Sequence, residues 1–256
     1  MMDALIGHTG FIGGQLARQH AFDARYRSHD IESVAGRRFG LVACAGAPGA
    51  KWLANRDPEA DRASITRLMA ALAGMSCERF VLISTVDVFG EPVEVDEHSP
   101  ADVAHATAYG RHRRELEEFV ANRFQKASIV RLPGLVGPGL RKNVLFDLLN
   151  DNALDAVDSR SIYQFYPVEN LWHDIGVTLA ADLRLVHLTA APLGVGELAR
   201  EAFGREFART GTAKPACYDL RTRHAAVFGA QGVYQYTRAQ SLEAVRRYAR
   251  TEPRRA

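Results

Sequence analysis

The segment that most constrains this chain is Gly7-His8-Thr9-Gly10-Phe11-Ile12-Gly13. It follows the apolar run Ala4-Leu5-Ile6 and opens a stretch with Ile12 and Leu16 at helical spacing. A glycine-rich turn between a strand and a helix is the setting in which a dinucleotide fingerprint works. One glycine makes the tight turn, one lets the backbone approach a pyrophosphate, and one allows close helix–strand packing. The free N–H groups and the positive dipole end of the helix then face the phosphates. The spacing is Gly-x-x-Gly-x-x-Gly, not the Gly-x-Gly-x-x-Gly of most Rossmann dehydrogenases.

Strands are expected at residues 3–6, 25–27, 41–45, 80–83 and 128–132, and helices over 11–20, 58–73 and 108–123. Ile65, Leu68, Met69 and Leu72 follow the helical period in one helix, and Leu116, Phe119 and Val120 share a face of another. Continuously apolar strands alternating with helices imply a parallel sheet covered on both faces. Right-handed crossovers make it doubly wound. The expected class is therefore α/β, Rossmann-like. Beyond Pro138 the pattern blurs: residues 163–166 read as extended, 168–181 as helical, 185–188 as a strand, and 197–203 and 239–250 as helical. There is no repeat, low-complexity tract or obvious linker, so the parts are expected to pack as one body.

A chain of 256 residues with 47% hydrophobic content and a net charge of +2 is neither disordered nor collagen-like. No apolar run approaches the roughly 20 residues of a membrane helix. The start, Met1-Met2-Asp3-Ala4, has no basic flank or cleavage signature, so no secretory leader is expected. Cys44, Cys77 and Cys217 are far apart and read as free thiols, which fits a reducing cytoplasm. No metal site is expected, and His173-Asp174 reads as a helix surface pair. The basic residues are nearly all Arg; the lysines are Lys51, Lys126, Lys142 and Lys214. The simplest source of that bias is a GC-rich genome. Arg111, Arg113 and Arg114, and Arg246, Arg247 and Arg250, read as solvated helix faces with no nucleic-acid recognition motif beside them.

Four segments, in order, resemble the extended short-chain dehydrogenase/reductase family, the nucleotide-sugar epimerases, dehydratases and reductases. The first is the glycine turn. The second, Ser84-Thr85-Val86-Asp87-Val88-Phe89-Gly90, is similar to the family's Ser-Ser/Thr-x-x-Val-Tyr-Gly. The third, Tyr109-Gly110-Arg111-His112-Arg113, is similar to its Tyr-x-x-x-Lys, with Arg113 where the Lys stands. The fourth is Arg131-Leu132-Pro133-Gly134-Leu135-Val136-Gly137-Pro138-Gly139. The resemblance implies an NAD(P)-binding domain over residues 1–138 and a small α/β substrate-binding part over 139–256.

It also implies chemistry. Moving a hydride at a sugar carbon requires a proton moved at the adjacent oxygen, and a Tyr does this when a cation draws its pKa down from about 10. Tyr109 and Arg113 are four apart on one helix face. Thr85 matches the residue that hydrogen-bonds the reacting oxygen, and Asp87 stands where some family dehydratases carry an acid. Gly7, Thr9, Gly10, Phe11, Ile12 and Gly13 would meet the pyrophosphate. Arg27 and Ser28, with no acid ending the second strand, favour the 2′-phosphate of NADP over NAD. Asp30 and Ile31 resemble the pair beside the adenine, although the chain there is too short for the usual second helix. The small residues Ala45, Gly46 and Ala47 would let the cofactor approach the backbone, and Pro133 and the Tyr109–Arg113 pair complete the cofactor contacts.

Residues 139–256 are short for this family and carry no assignable motif. Asn170 stands where an Asp is common. Tyr163, Phe165, Tyr166 and Trp172 read as core, while Arg141, Lys142 and Asn143 read equally as a solvated loop or as contacts to a substrate phosphate. Two functions stay open. One is an NAD(P)-dependent oxidoreductase or epimerase acting on a nucleotide sugar or small carbonyl or hydroxyl substrate. The other, motivated by Arg113 and the trimmed chain, is a non-catalytic NAD(P)-binding regulatory or redox-sensing protein. Neither a nucleic-acid nor a membrane partner is expected, and the resemblance allows a homodimer.

Overall fold

The computed structural model describes residues 1–101 and 104–255; Asp102, Val103 and Ala256, which fall inside the two expected parts, lie outside the described residues. In chain order the elements are β1 (Ala4–Ile6), α1 (Phe11–Gln19), β2 (Ala24–Tyr26), β3 (Arg38–Cys44), α2 (Lys51–Arg56), α3 (Pro58–Ala73) and β4 (Ser76–Thr85). Then come β5 (Val93–Val95), α4 (Ala108–Arg123), β6 (Ala127–Leu132), β7 (Gly134–Val136), α5 (Val144–Asn150), β8 (Ile162–Tyr163) and β9 (Phe165–Pro167). The chain ends with α6 (Leu171–Ala180), β10 (Leu185–His187), β11 (Leu193–Gly194), α7 (Val195–Phe203), β12 (Asp219–Leu220) and α8 (Arg238–Thr251). Among the described residues no helix is long and apolar enough to cross a membrane.

Two compact units interleave along the chain. Unit 1 comprises Met1–Glu91, Ser99–Arg131 and Glu169–Val186; unit 2 comprises Pro92–His98, Leu132–Val168 and His187–Ala256. The sequence places one boundary between residues 138 and 139, whereas the chain passes from one unit to the other several times.

Unit 1 is built on a six-stranded sheet ordered β10-β6-β4-β3-β1-β2. β1 pairs in parallel with β2 on one side and β3 on the other, and β3 runs parallel to β4. This is the Rossmann-like doubly wound arrangement expected from the alternation of strands and helices. Its core holds Ile6, Phe39, Val42, Ile65, Leu72, Phe80, Leu82, Leu116 and Val120. α3 starts where Pro58 occupies the first turn and the Asp57 carboxylate accepts from the Ala60 amide at 3.1 Å. α4 starts where the Thr107 hydroxyl accepts from the Gly110 amide. No helix links β2 to β3: a single 3-10 turn, Ile31–Val34, takes its place, with Ile31 buried.

Because the chain leaves β2 and returns to the far side of β1, the winding reverses between β1 and β3. Open α/β sheets bind ligands outside the carboxyl ends of the strands at such a point.

Unit 2 holds three two-stranded sheets, β7–β9, β8–β11 and β5–β12. The buried Gln164 ties it together, donating to the carbonyls of Ala190 (2.6 Å) and Leu220 (2.8 Å) and accepting from the Leu220 amide (2.6 Å). α8 begins in a reciprocal cap between Thr237 and Gln240.

Candidate active site

Gly7 ends β1 with φ +86, a left-handed conformation that favours glycine. A Cβ there would stand 2.3 Å from the Ala45 carbonyl oxygen, so the turn lies directly against the segment that follows β3. A Cβ on Gly13 would stand 2.1 Å from the Gly7 carbonyl oxygen, which fixes how closely α1 approaches the turn. Gly10 differs. It caps α1 with ordinary angles, φ −74 and ψ 170, makes no side-chain cap bond, and a Cβ there would meet only the Gly7 oxygen at 3.5 Å. Two glycines thus close the turn while the third keeps open space before the first amides of α1. That cradle fits a pyrophosphate.

Around it, Thr9 and Gly10 are exposed, Phe11, Ile12, Ala45, Gly46 and Ala47 are half-buried, and Gly13 is buried. Arg27 follows β2 with its side chain on the surface. Its amide donates to Asp30 Oδ1 at 2.7 Å, and its guanidinium lies 3.9 Å from the same carboxylate. Any anion recruited by Arg27 therefore competes with Asp30. Ser28 and Asp30 are exposed. Pro133 is buried and falls in unit 2.

Thr85 ends β4, the strand next to β3 in the sheet. Its hydroxyl donates to Asp87 Oδ2 (3.3 Å) and accepts from the Asp87 amide (3.2 Å). The Asp87 carbonyl lies against the start of α4, where a Cβ on Gly110 would come within 1.9 Å of it. This close approach sets Tyr109, half-buried, beside the Thr85–Asp87 turn.

Arg113 sits over the Tyr109 ring, 3.8 Å from guanidinium carbon to ring centroid. It does not project into solvent as the sequence suggests, being 3% exposed. Its two terminal nitrogens pair with the Asp61 carboxylate, and one also donates to the Pro48 carbonyl. Its Nε is buried without a hydrogen-bond partner. His112 Nδ1 shares a 2.7 Å hydrogen bond with Asp61. Burial pushes the Asp61 carboxyl up, but its bonds to Arg113 and His112 outweigh this and hold it below the ordinary range.

The phenol of Tyr109 is accordingly not drawn toward neutrality. Burial raises its pKa; Arg113 and Lys51 pull it down while Asp87 and Asp61 push it up, and the balance lies above the ordinary value. The expected lowering by Arg113 is present but outweighed, first by burial and then by Asp87 and Asp61.

A second buried cluster supports β4 and α4. Glu117 accepts from Ser84 (2.6 Å), from Arg131 at both oxygens (2.9 and 2.6 Å) and from Arg114 (3.0 Å). Burial raises its pKa, yet the bonds from Arg131, Ser84 and Arg114 bring the net value below the usual range.

Sequence reasoning misses Lys51, Asn55, Asp61 and Glu117. Asp61 and Glu117 carry a readable signal: Asp61 lies in register with Ile65, Leu68 and Leu72, and Glu117 lies between Leu116 and Val120, so each is an acid on an apolar stripe. Lys51 carries none. Elsewhere, Asp174 is buried rather than part of a surface pair. Phe165 and Tyr166 are core, Tyr163 stacks on Tyr218 at 5.5 Å, and Trp172 stacks on His20 at 4.1 Å. Asn143 caps α5, accepting from the Leu145 amide at 2.9 Å. The cysteines are unbridged; burial raises the Cys44 thiol to about 11 and the Cys77 thiol to about 12.

Residues 39–163 match the model of the NAD dependent epimerase/dehydratase family. The matched segment makes up just under half of the chain. The matched span holds Thr85, Asp87, Tyr109, Arg113 and Pro133 and begins after the glycine turn. No curated protein matches the chain in sequence.

Solved structures match nearly its whole length. dTDP-4-dehydrorhamnose reductase from Clostridium acetobutylicum has a TM-score of 0.72 and 17% identity, over 97% of this chain and 98% of that one. The Bacillus anthracis reductase of the same name, in complex with NADP, has a TM-score of 0.71 and 17% identity, over 97% and 98%. UDP-glucose 4-epimerase from Thermotoga maritima, with UDP-glucose, has a TM-score of 0.69 and 13% identity, over 98% and 99%. At these identities the likeness is one of fold.

Proposed function

We propose that this protein is an NAD(P)-dependent oxidoreductase or epimerase of the extended short-chain dehydrogenase/reductase type, acting on a nucleotide sugar or a small carbonyl or hydroxyl substrate. One observation carries the reading. The glycine cradle, the Ala45–Ala47 segment and the Thr85–Asp87 turn follow the carboxyl ends of three neighbouring strands, at the point where the winding reverses.

In this reading Gly7, Thr9, Gly10, Phe11, Ile12 and Gly13 hold the pyrophosphate. Arg27, Ser28, Asp30 and Ile31 meet the adenosine side, and Ala45, Gly46 and Ala47 line the remainder. Arg27 supports NADP over NAD through a charge-assisted contact to a 2′-phosphate. A bound nicotinamide dinucleotide supplies or accepts the hydride. The chain's own part is to move a proton: the Thr85 hydroxyl bonds the reacting oxygen, and Tyr109 Oη exchanges its proton with that oxygen. The UDP-glucose and dTDP-4-dehydrorhamnose in the names of similar structures support a nucleotide sugar as the substrate class.

A second reading, a dinucleotide-binding protein without turnover, is favoured by the burial of Arg113 against Asp61 and the raised phenol of Tyr109. Binding of NADPH and NADH, followed by hydride exchange against a panel of nucleotide sugars, separates the two. Exchange with any member supports the first reading; binding without exchange supports the second; no binding of either dinucleotide overturns both.

A further inference from the structure

Beyond the second strand of a sheet of this kind, an acid meets the 2′-hydroxyl of NAD or an Arg meets the 2′-phosphate of NADP. This chain carries one of each, Asp30 and Arg27, and they are bonded to one another. The Gly7 amide donates to the Tyr26 carbonyl at 2.8 Å, so Arg27 follows a direct backbone link to the glycine cradle. Asp30 closes the turn that Arg27 begins: its amide donates to the Arg27 carbonyl at 3.2 Å.

The two partners are held differently. The Asp30 carboxylate is fixed by backbone: its Oδ1 accepts the Arg27 amide at 2.7 Å, and the Asp30 carbonyl accepts the Ser33 hydroxyl at 2.6 Å. The Arg27 guanidinium is held loosely. Its Nε lies 3.9 Å from Asp30 Oδ2, and the two side chains are 55% and 46% exposed. Arg67, similarly open to solvent, meets Glu32 at 2.5 Å instead. The Arg27 side chain can therefore turn toward an incoming anion, while the carboxylate stays with the turn. An anion that engages Arg27 first has to break its pairing with Asp30, and the worth of that pairing is subtracted from the new contact.

We propose that Asp30 sets how strongly this protein discriminates NADP from NAD, by occupying the guanidinium of Arg27 that a 2′-phosphate would otherwise take. This rests on the reading of the glycine turn as a dinucleotide cradle and of Arg27 as the 2′-phosphate contact. Specificity is a difference of two affinities, and an internal competitor for the phosphate lowers one of them without touching the other. Asp30 is thus a specificity-determining residue that works through Arg27. The protein should accept both dinucleotides, with NADPH ahead by less than an unopposed Arg would give.

The test is the ratio of NADPH to NADH affinity, measured by nicotinamide fluorescence titration. Asp30→Asn keeps an oxygen for the Arg27 amide and removes the charge. It should raise the ratio by about fivefold, the upper scale of an exposed ion pair. Asp30→Ser, with a shorter acceptor, should move it in the same direction, which keeps the proposal testable if Asp30→Asn fails to fold. In the Arg27→Ala background most of the gain should disappear, because no guanidinium is left to release. An unchanged or lowered ratio in the folded Asp30 variants overturns the proposal, and so does a gain that survives whole without Arg27. The underlying reading fails in a different way. If the wild type binds neither dinucleotide, the cradle and the proposal fall together; if it binds both and the ratio does not move, only the role of Asp30 falls.

Discussion

The turn at residues 7–13 is held by backbone, whereas the Tyr109 face of α4 is held by charge. At the turn, Gly7 and Gly13 admit no side chain because carbonyl oxygens of Ala45 and Gly7 occupy the space. At the Tyr109 face, Asp61, Arg113 and His112 form a buried ionic cluster drawn from two helices, with Pro48 as a further acceptor. The difference determines what each region tolerates. A backbone-built site is sensitive to a single added carbon and indifferent to pH. A charge-built site tolerates changes of shape better than loss of one partner, and it responds to protonation.

The largest effect should come from breaking the ionic cluster. Asp61→Ala leaves the Arg113 guanidinium buried and uncompensated, and should cost about 3–5 kcal/mol in urea unfolding. Acid should expose the same dependence. The folded-state pKa of Asp61 is lowered, so its contribution is complete above the ordinary carboxylate range and is lost as pH falls through the folded value. Glu117 follows the same sign. The wild type should lose stability on acidification through that window, and Asp61→Asn should lose less over the same interval. Equal acid sensitivity in the two proteins would count against the cluster.

Smaller effects are expected at the turn, and they should divide between two glycines. Gly13→Ala forces a Cβ into the Gly7 carbonyl and should cost about 1–3 kcal/mol as well as weakening NADPH binding. Gly10→Ala meets no obstacle and should leave the urea midpoint unchanged while weakening NADPH. If the two variants behaved alike, the division of labour within the turn would be wrong.

The sequence was most legible where structure is local. The helical period of Ile65, Leu68, Met69 and Leu72, and of Leu116, Phe119 and Val120, locates α3 and α4. The six residues of α2 contribute one buried side chain, Ala54, so no periodicity announces them. Lys51 and Asn55 are consequently invisible until the loop after β3 is seen against α4. Arg113 shows the same limit from the other side. Its identity and spacing are plain in the sequence, but its role depends on Asp61 and Pro48, far away in the chain. Strand ends were short by several residues at β3 and β4, because backbone pairing continues through Arg38, Ser76 and Arg79 after the apolar run has stopped.

The smallest effect concerns cofactor choice. Arg27→Ala should weaken NADPH by about tenfold, equivalent to roughly 1.4 kcal/mol, and NADH much less. An equal loss for both would remove Arg27 from 2′-phosphate recognition.

The most direct measurement is an equilibrium titration of the wild type and Gly10→Ala with NADPH, followed by nicotinamide fluorescence. The account predicts saturable binding by the wild type and binding at least about tenfold weaker in Gly10→Ala at an unchanged urea midpoint. No binding by the wild type, or equal binding by the two proteins, would contradict it.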